Sequence, residues 1–249
     1  MLLTVLSACT IIDPDDRLVP VTDTPSRPAL LVEFTGINCV NCPTAEATAA
    51  ELLSSFPQDH LVVVAMHPAT NPFTQATAPY DYTCPEADEY YLHCGGTVQT
   101  PFPTGTINLA PAQDGSYFVD YPLWATALTQ SRPWPIVTAY SVQVNNALEI
   151  SAVSLSLAPQ DVSVITWLVE DSVQGAQRME DGSLTLDYYH RHVLRQALSP
   201  VWGDSVTLDP LGGEVLRYAI PVTDRKHYSC VTLIWQDNEV KYVTQLELQ

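Results

Sequence analysis

A chain of 249 residues is long enough for one large or two modest domains. Ten basic against 28 acidic side chains give a formal net charge of −18, a field that repels phosphate backbones and argues against a nucleic-acid partner. Charged residues are only 15% of the chain, so the acid sits among Ser, Thr, Gln and Pro, as in many exported proteins.

The first nine residues read MLLTVLSAC, a short apolar segment running into Leu6-Ser7-Ala8-Cys9. This resembles the lipobox of bacterial lipoproteins. The resemblance implies that residues 1–9 are signal and lipobox, with cleavage before Cys9, which is acylated and becomes the first mature residue. No basic residue precedes the apolar segment, so it reads as the later part of a signal peptide. The plainer alternative is a buried N-terminal helix. Residues 10–28, TIIDPDDRLVPVTDTPSRP, are acidic and punctuated by proline, and read as a solvated tether. Beyond them no run approaches the ~20 apolar residues of a membrane span. Export would permit disulfides among the remaining five cysteines.

ALLVEF, residues 29–34, is a continuous apolar run suited to a strand buried on both faces. Helical spacing of Ala45, Ala49, Leu52, Leu53 and Phe56 predicts a helix with one apolar face. HLVVVAMH, residues 60–67, reads as a second buried strand, so the three form a βαβ unit with a parallel pair. Residues 68–82 read as an insertion. Thr83-Cys84-Pro85-Glu86 has the pattern of a capping box opening a second helix, and Gly95-Gly96 would end it. PTGTINLA and GSYFVDY, joined by PAQDG, read as a hairpin, and PLWATALTQ as a closing helix. This is the order of elements in thioredoxin.

SRPWP, residues 131–135, reads as the seam between a thioredoxin-like α/β domain, residues 29–133, and a second domain, residues 134–249. Beyond it the period changes to two, in IVTAYSVQV, LEISAVSLSL, VSVITWLVE, GEVLRYAIPV, YSCVTLIWQD and VKYVTQLEL. About seven short strands with turns between them argue an all-β immunoglobulin-like sandwich with a core of its own. Trp134 and Trp202 are candidates for packing at the junction.

The stretch FTGINCVNCPTAEATAAELLSSF, residues 34–56, carries the chemistry. A cysteine at a helix N-terminus has its thiolate stabilised by unpaired N–H groups, and a second cysteine one turn on can resolve a mixed disulfide. Cys39 and Cys42, between a strand and a helix, therefore read as a redox pair, a structural staple or half of a metal site. LVEFTGINCVNC resembles the active-site approach of thioredoxins, which implies nucleophilic Cys39, resolving Cys42 and a buried acid at Glu33. Phe102-Pro103-Thr104 resembles their cis-proline loop, with Pro103 facing the cysteines and positioning a substrate strand. Asn38 stands where thioredoxins carry tryptophan, and Val40-Asn41 replaces Gly-Pro, so potential and partner are open.

VEFTGINCVNCP, VVVAMHP, FPTGTIN and YYHRHVLRQALSPVWGD together resemble the outer membrane protein 28-like lipoproteins of Gram-negative bacteria. That family pairs a thioredoxin-like domain with a C-terminal β domain. The resemblance implies an outer-membrane lipoprotein on the periplasmic or surface face, with adhesion or receptor roles proposed. Two functions follow: thiol–disulfide exchange with exported protein thiols or disulfides, or binding of a surface ligand on a redox-inactive scaffold.

Cys84 and Cys94 are candidates for a further disulfide. A regular helix between them would hold them about 15 Å apart, beyond the roughly 7 Å a disulfide allows, so the alternative is two unpaired thiols. Cys230 reads as a buried free thiol. His190 and His192, two apart, would share a strand face, with hydrogen bonding a plainer use than metal. His67, before Pro68, reads as a pocket-lining or capping group. No metal site and no cofactor are expected, since no third ligand, phosphate loop, serine elbow or HExxH pattern can be named.

Overall fold

In the computed structural model the described residues are 28–249 apart from 58, 76–77, 131–136 and 210–212. Strand β1 (Ala29–Phe34) and strand β2 (Leu61–Met66) pair in parallel, from Ala29 opposite Leu61 to Phe34 opposite Met66. Helix α1 (Cys42–Ser55) joins them. Every residue of both strands is buried, as a continuous apolar run requires of a strand covered on two faces. The period of two sorts β1: Ala29 and Leu31 pack against Ala45, Ala49 and Leu52 of α1, while Leu30, Val32 and Phe34 face the opposite way. Pro57 follows the end of α1 at Phe56, where no further helical turn can form.

Helix α2 (Pro85–His93) packs Tyr90 and Tyr91 on the Phe34 side of the sheet. Its N-terminus corrects the capping-box reading. Cys84 is the cap residue and makes no side-chain cap bond; the Thr83 hydroxyl turns back to Asp81, and Glu86 accepts the N–H of Ala197. Its C-terminus is as expected. Gly95, at φ +81°, donates to the Leu92 carbonyl and Gly96 to that of Tyr91, a paired closure that needs the left-handed residue. Strand β3 (Thr104–Ile107) runs antiparallel to β1 on its free edge. The expected hairpin after β3 shrinks to one bridge, Gly105 with Val119, before a short turn leads into α3 (Trp124–Leu128).

The second half holds ten strands among the described residues, not about seven. Strands β4 (Val137–Val144), β5 (Ala147–Ser154), β6 (Gln160–Glu170), β11 (Gly213–Ala219), β12 (Tyr228–Gln236) and β13 (Glu239–Glu247) fall on the apolar segments read from sequence. The other four are β7 (Val173–Arg178), β8 (Leu184–His190), β9 (Val193–Ala197) and β10 (Asp204–Leu208).

The sheet order is β13-β12-β6-β9-β2-β1-β3, with β10 also on β6, so one eight-stranded sheet crosses the expected seam. The join is narrow: Ala65 pairs with Val193, and the Ala65 N–H reaches the His192 carbonyl at 2.8 Å. The cores are joined too. Ile165, Trp167, Val231 and Val243 pack in one cluster with Leu30, Phe34, Tyr90 and Tyr91, which corrects the expectation of two separate cores. A sandwich does exist beyond them. The three-stranded sheet β11-β5-β4 covers the far end of the large sheet, burying Leu148, Ile150, Val164, Cys230 and Ile234. Trp202 sits at the junction, its ring against Tyr90 and His93 of α2 and against Trp235 of β12.

The seam residues 131–135 with Trp134, and the lipobox with Cys9 and most of the tether, lie outside the described residues. Among the described residues no helix is long and apolar enough to cross a membrane.

Candidate functional site: a covered disulfide

Cys39 and Cys42 form a disulfide with Cα atoms 5.4 Å apart. Cys42 is the first residue of α1, with Asn41 as an N-cap that makes no side-chain bond. The loop into it is tightly wound, Cys39 N–H bonding the Gly36 carbonyl at 3.0 Å and Cys42 N–H that of Cys39 at 3.3 Å. Both cysteines are 2% exposed.

Two elements cover them. On one side the segment around Phe73 closes in: Asn38 N–H donates to the Phe73 carbonyl at 2.9 Å, and the Asn38 amide reaches the Gln75 carbonyl at 2.9 Å. Gly36 permits this approach, since a Cβ there would lie 2.4 Å from the Phe73 carbonyl oxygen. The segment is braced by wholly buried Asn71, whose amide bonds the Tyr91 hydroxyl and the Thr100 carbonyl. Phe73 stacks on Phe102, ring centroids 6.1 Å apart. The Phe102–Pro103 bond is cis, as expected, and Phe102 lies in the same packed cluster as both cysteines.

On the other side lies the β7–β8 hairpin, contributed by the second half of the chain. Gln177 Nε2 donates to the Cys39 carbonyl at 2.9 Å, and Arg178 N–H to the Ile37 carbonyl at 2.8 Å. The Tyr188 hydroxyl bonds Glu46 Oε2 at 2.9 Å.

Beneath this cover is a layer of buried ionisable groups. Glu33 follows Ala29 and Leu31 on the face of β1 turned toward α1. It is 2% exposed and its Oε1 has no hydrogen-bond partner. Burial first, then the Glu46 carboxylate, raise its pKa well above the ordinary carboxylate range. Burial likewise pushes Glu46 up to about 7, against the lowering bond from Tyr188. His67 has neither ring nitrogen hydrogen-bonded, and burial, then His190, hold its pKa well below the usual value. Burial pushes His190 down to about 4; its Nε2 lies 3.1 Å from the Ala176 carbonyl. The His190 ring packs against Tyr82, Tyr188 and His67 at 4.5, 4.9 and 5.9 Å.

Of the residues read from sequence, Cys39 and Cys42 are joined at the start of α1, Pro103 follows Phe102 of their cluster through a cis bond, and Glu33 lies on the β1 face toward α1, its charge coupled to Glu46. Cys84 and Cys94 do not form a disulfide. Nine residues of intact helix separate them, and both are free and buried, their thiols pushed up to about 12 by desolvation. Cys230 is a buried free thiol in the sandwich core. His190 and His192 do not share a strand face either: His192, at φ +54°, lies between β8 and β9 and breaks the alternation. Among the described residues no group of three His, Cys, Asp or Glu side chains is placed to hold a metal ion.

Sequence reasoning missed Glu46, Gln177 and Tyr188. Glu46 carried a usable signal, standing four residues after Cys42 and so one turn along α1. The other two depend on a fold-back that no local pattern announces.

The chain thus joins a disulfide at the start of a helix to a β-sandwich in its second half. The chain belongs to the family of outer membrane protein Omp28, whose profile matches residues 98–249. Its fold is similar to that of HBP35 of Porphyromonas gingivalis, at 11% identity and a TM-score of 0.67 over 90% of this chain and 76% of that one. It is also similar to protein AGR_C_4864 from Agrobacterium tumefaciens, at 13% identity and a TM-score of 0.56 over 89% and 96%. No curated protein sequence matches the chain.

Proposed function

We propose that this protein is an outer-membrane lipoprotein, held by an acyl chain on Cys9, whose thioredoxin-like unit at residues 29–133 exchanges its Cys39–Cys42 disulfide with exported protein thiols. The observation that carries the reading is the Glu33 carboxyl, buried beside α1 with Oε1 unpartnered. A staple gains nothing from such a group. An unpaired buried polar atom costs about 1–3 kcal/mol, and perturbed acids of this kind concentrate where protons are moved.

In the step proposed, a thiolate of an exported dithiol attacks Cys39 Sγ. The Cys39–Cys42 bond breaks, a mixed disulfide forms, and Cys42 leaves as a thiolate that takes the proton held by Glu33. The partner's second thiolate then attacks its own half of the mixed disulfide and releases Cys39. The partner is oxidised by two electrons and the pair is reduced; the reverse sequence oxidises the pair. Pro103 would position the partner's strand.

A second reading is favoured by one fact, the 2% exposure of both cysteines. It is a lipid-anchored binding protein in which the pair is a staple. The Cys42→Ala variant, together with the reduction potential of the unmutated pair, separates the two. Exchange predicts mixed disulfides on Cys39 recovered from envelope extracts, and a potential well above the roughly −300 mV below which structural disulfides lie. No trapped partner and a potential below that limit would establish the staple. Anchoring is tested by the mass of the mature N-terminus: an unmodified Cys9 on native protein refutes it.

A further inference from the structure

We infer that the β7–β8 hairpin is a hinged arm that opens as a unit to admit thiols to the Cys39–Cys42 disulfide, an inference whose purpose, though not its test, rests on the exchange reading. Strands β6 and β9 pair up to Glu170 opposite Val193, and β7 and β8 begin with Val173 opposite His190. The four strands are thus one long antiparallel ribbon, interrupted by two residues on each side. Each interruption holds a non-glycine residue in the left-handed region: Ser172 at φ +58° and His192 at φ +54°. Such residues occur singly and at a cost, and here one stands on each strand of the ribbon where its pairing is interrupted.

The pivot is fixed to the main sheet, Asp171 N–H bonding the His227 carbonyl at 2.7 Å and the His192 carbonyl accepting from Ala65. Beyond it the arm forms a two-stranded sheet of its own, pairing with no strand of the large sheet among the described residues. Its hold on the disulfide loop is a few discrete bonds: Gln177 to Cys39, Arg178 N–H to Ile37, and Tyr188 to Glu46. Near the pivot it also rests on an apolar patch of Val173 with Ile37, Tyr80 and Tyr82, on the His190 ring against Tyr82 and His67, and on a 3.4 Å bond from the Tyr82 hydroxyl to the Gln174 carbonyl. Gly175 admits Tyr82 beneath the arm, since a Cβ there would fall 1.6 Å from the Tyr82 hydroxyl. An element with fixed pivots, its own internal pairing and few distal bonds opens before the sheet beneath it unfolds.

The test uses the full chain and a small dithiol, dithiothreitol, following reduction by alkylation and mass analysis of the Cys39 and Cys42 peptides. Gln177→Ala and Tyr188→Phe should each speed reduction several-fold, and the double variant by about tenfold or more, since each deletes one hydrogen bond of ordinary strength. Tyr218→Phe is the control. It removes a 2.6 Å bond to Asp204 far from the arm and should leave the rate unchanged. Hydrogen exchange should show residues 173–190 exchanging together, faster than β6 and β9. Unchanged rates in the arm variants, or an equal acceleration by Tyr218→Phe, would show that reduction waits on global unfolding and overturn the arm. Failure of the exchange reading looks different: the arm variants accelerate reduction, yet Cys42→Ala combined with them still traps no partner.

Discussion

Trp167 Nε1 donates a 2.9 Å hydrogen bond to the hydroxyl of Tyr90, so the centre of β6 is tied to α2 across 77 residues of chain. The rings meet edge to face at 5.0 Å, and both residues are wholly buried. The Tyr90 hydroxyl in turn bonds the Val201 carbonyl, beside the Trp202 turn. Trp167→Phe should therefore cost about 1–3 kcal/mol, chiefly by leaving a buried hydroxyl one partner short. A shared core also sets the unfolding behaviour. Urea denaturation of residues 28–249, followed by fluorescence and by circular dichroism, should give one coincident transition, and residues 28–130 alone should not fold stably. Two separable transitions would refute this.

Asn108 ties three strands by different groups. Its Oδ1 accepts the buried Leu30 N–H at 2.8 Å, its own N–H reaches the Leu30 carbonyl, and its carbonyl accepts from Val240 of β13. It does so at φ +57°, a conformation Asn tolerates better than most residues. Asn108→Ala should cost about 2–4 kcal/mol, combining an orphaned buried N–H with left-handed strain. Asn108→Gly should be the milder change by roughly 1 kcal/mol, because only the strain is relieved. Equal losses in the two variants would show that the backbone conformation contributes nothing.

Legibility in the sequence follows the range of the interaction. β1, α1 and β2 were readable because burial on two faces and helical spacing leave local marks: ALLVEF, the Ala45–Ala49–Leu52 stripe and LVVVAM. The four second-half strands that were missed have weak marks. In β8 the burial does not alternate: Leu184, Leu186, Asp187 and Tyr189 are exposed, and of its seven residues only His190 is buried. Their pairing with the first half rests on Ala65 meeting Val193, which no pattern encodes. YYHRHVLRQALSPVWGD, read as a family mark, proves to be the segment that builds the join: His190 at the base of the arm, Val193 beside β2 and Trp202 on α2.

Gly36→Ala tests how tightly the disulfide loop is held. The added methyl would meet the Phe73 backbone carbonyl at 2.4 Å and Thr74 N at 2.9 Å, and backbone cannot turn aside as a side chain can. Overpacking of this kind costs about 1–3 kcal/mol. The strain should part the Asn38–Phe73 bond, so a fall in thermal midpoint should come with faster alkylation of Cys39 after mild reduction. A variant of wild-type stability with an unchanged alkylation rate would show that the segment around Phe73 is no part of the cover.

Glu46 should make stability depend on pH with a definite sign. Burial raises its folded pKa from 4.5 to about 7, so between those values the folded state binds the extra proton. Stability from this group is fully present below about 4.5 and is lost as pH rises through about 7. Tyr188 and Arg191 favour the charged form, whereas Asp171 opposes it, and the Glu46 charge in turn raises Glu33. His190 works the other way: with its pKa pushed from 6.5 down to about 4, it loses stability as pH falls through that range. The two slopes oppose each other, so the wild-type curve alone is a poor readout. The difference between Glu46→Gln and wild type isolates the carboxyl. The amide keeps an acceptor for Tyr188 without the titration, so the variant should gain stability relative to wild type as pH rises through the window from 4.5 to about 7 and hold that gain above it. Tyr188→Phe removes the donor that favours the carboxylate and should move the Glu46 midpoint upward, read by carboxyl chemical shift. A stability difference that is flat across the window would mean that Glu46 titrates as an exposed carboxylate, and that the β7–β8 hairpin does not bury it in solution.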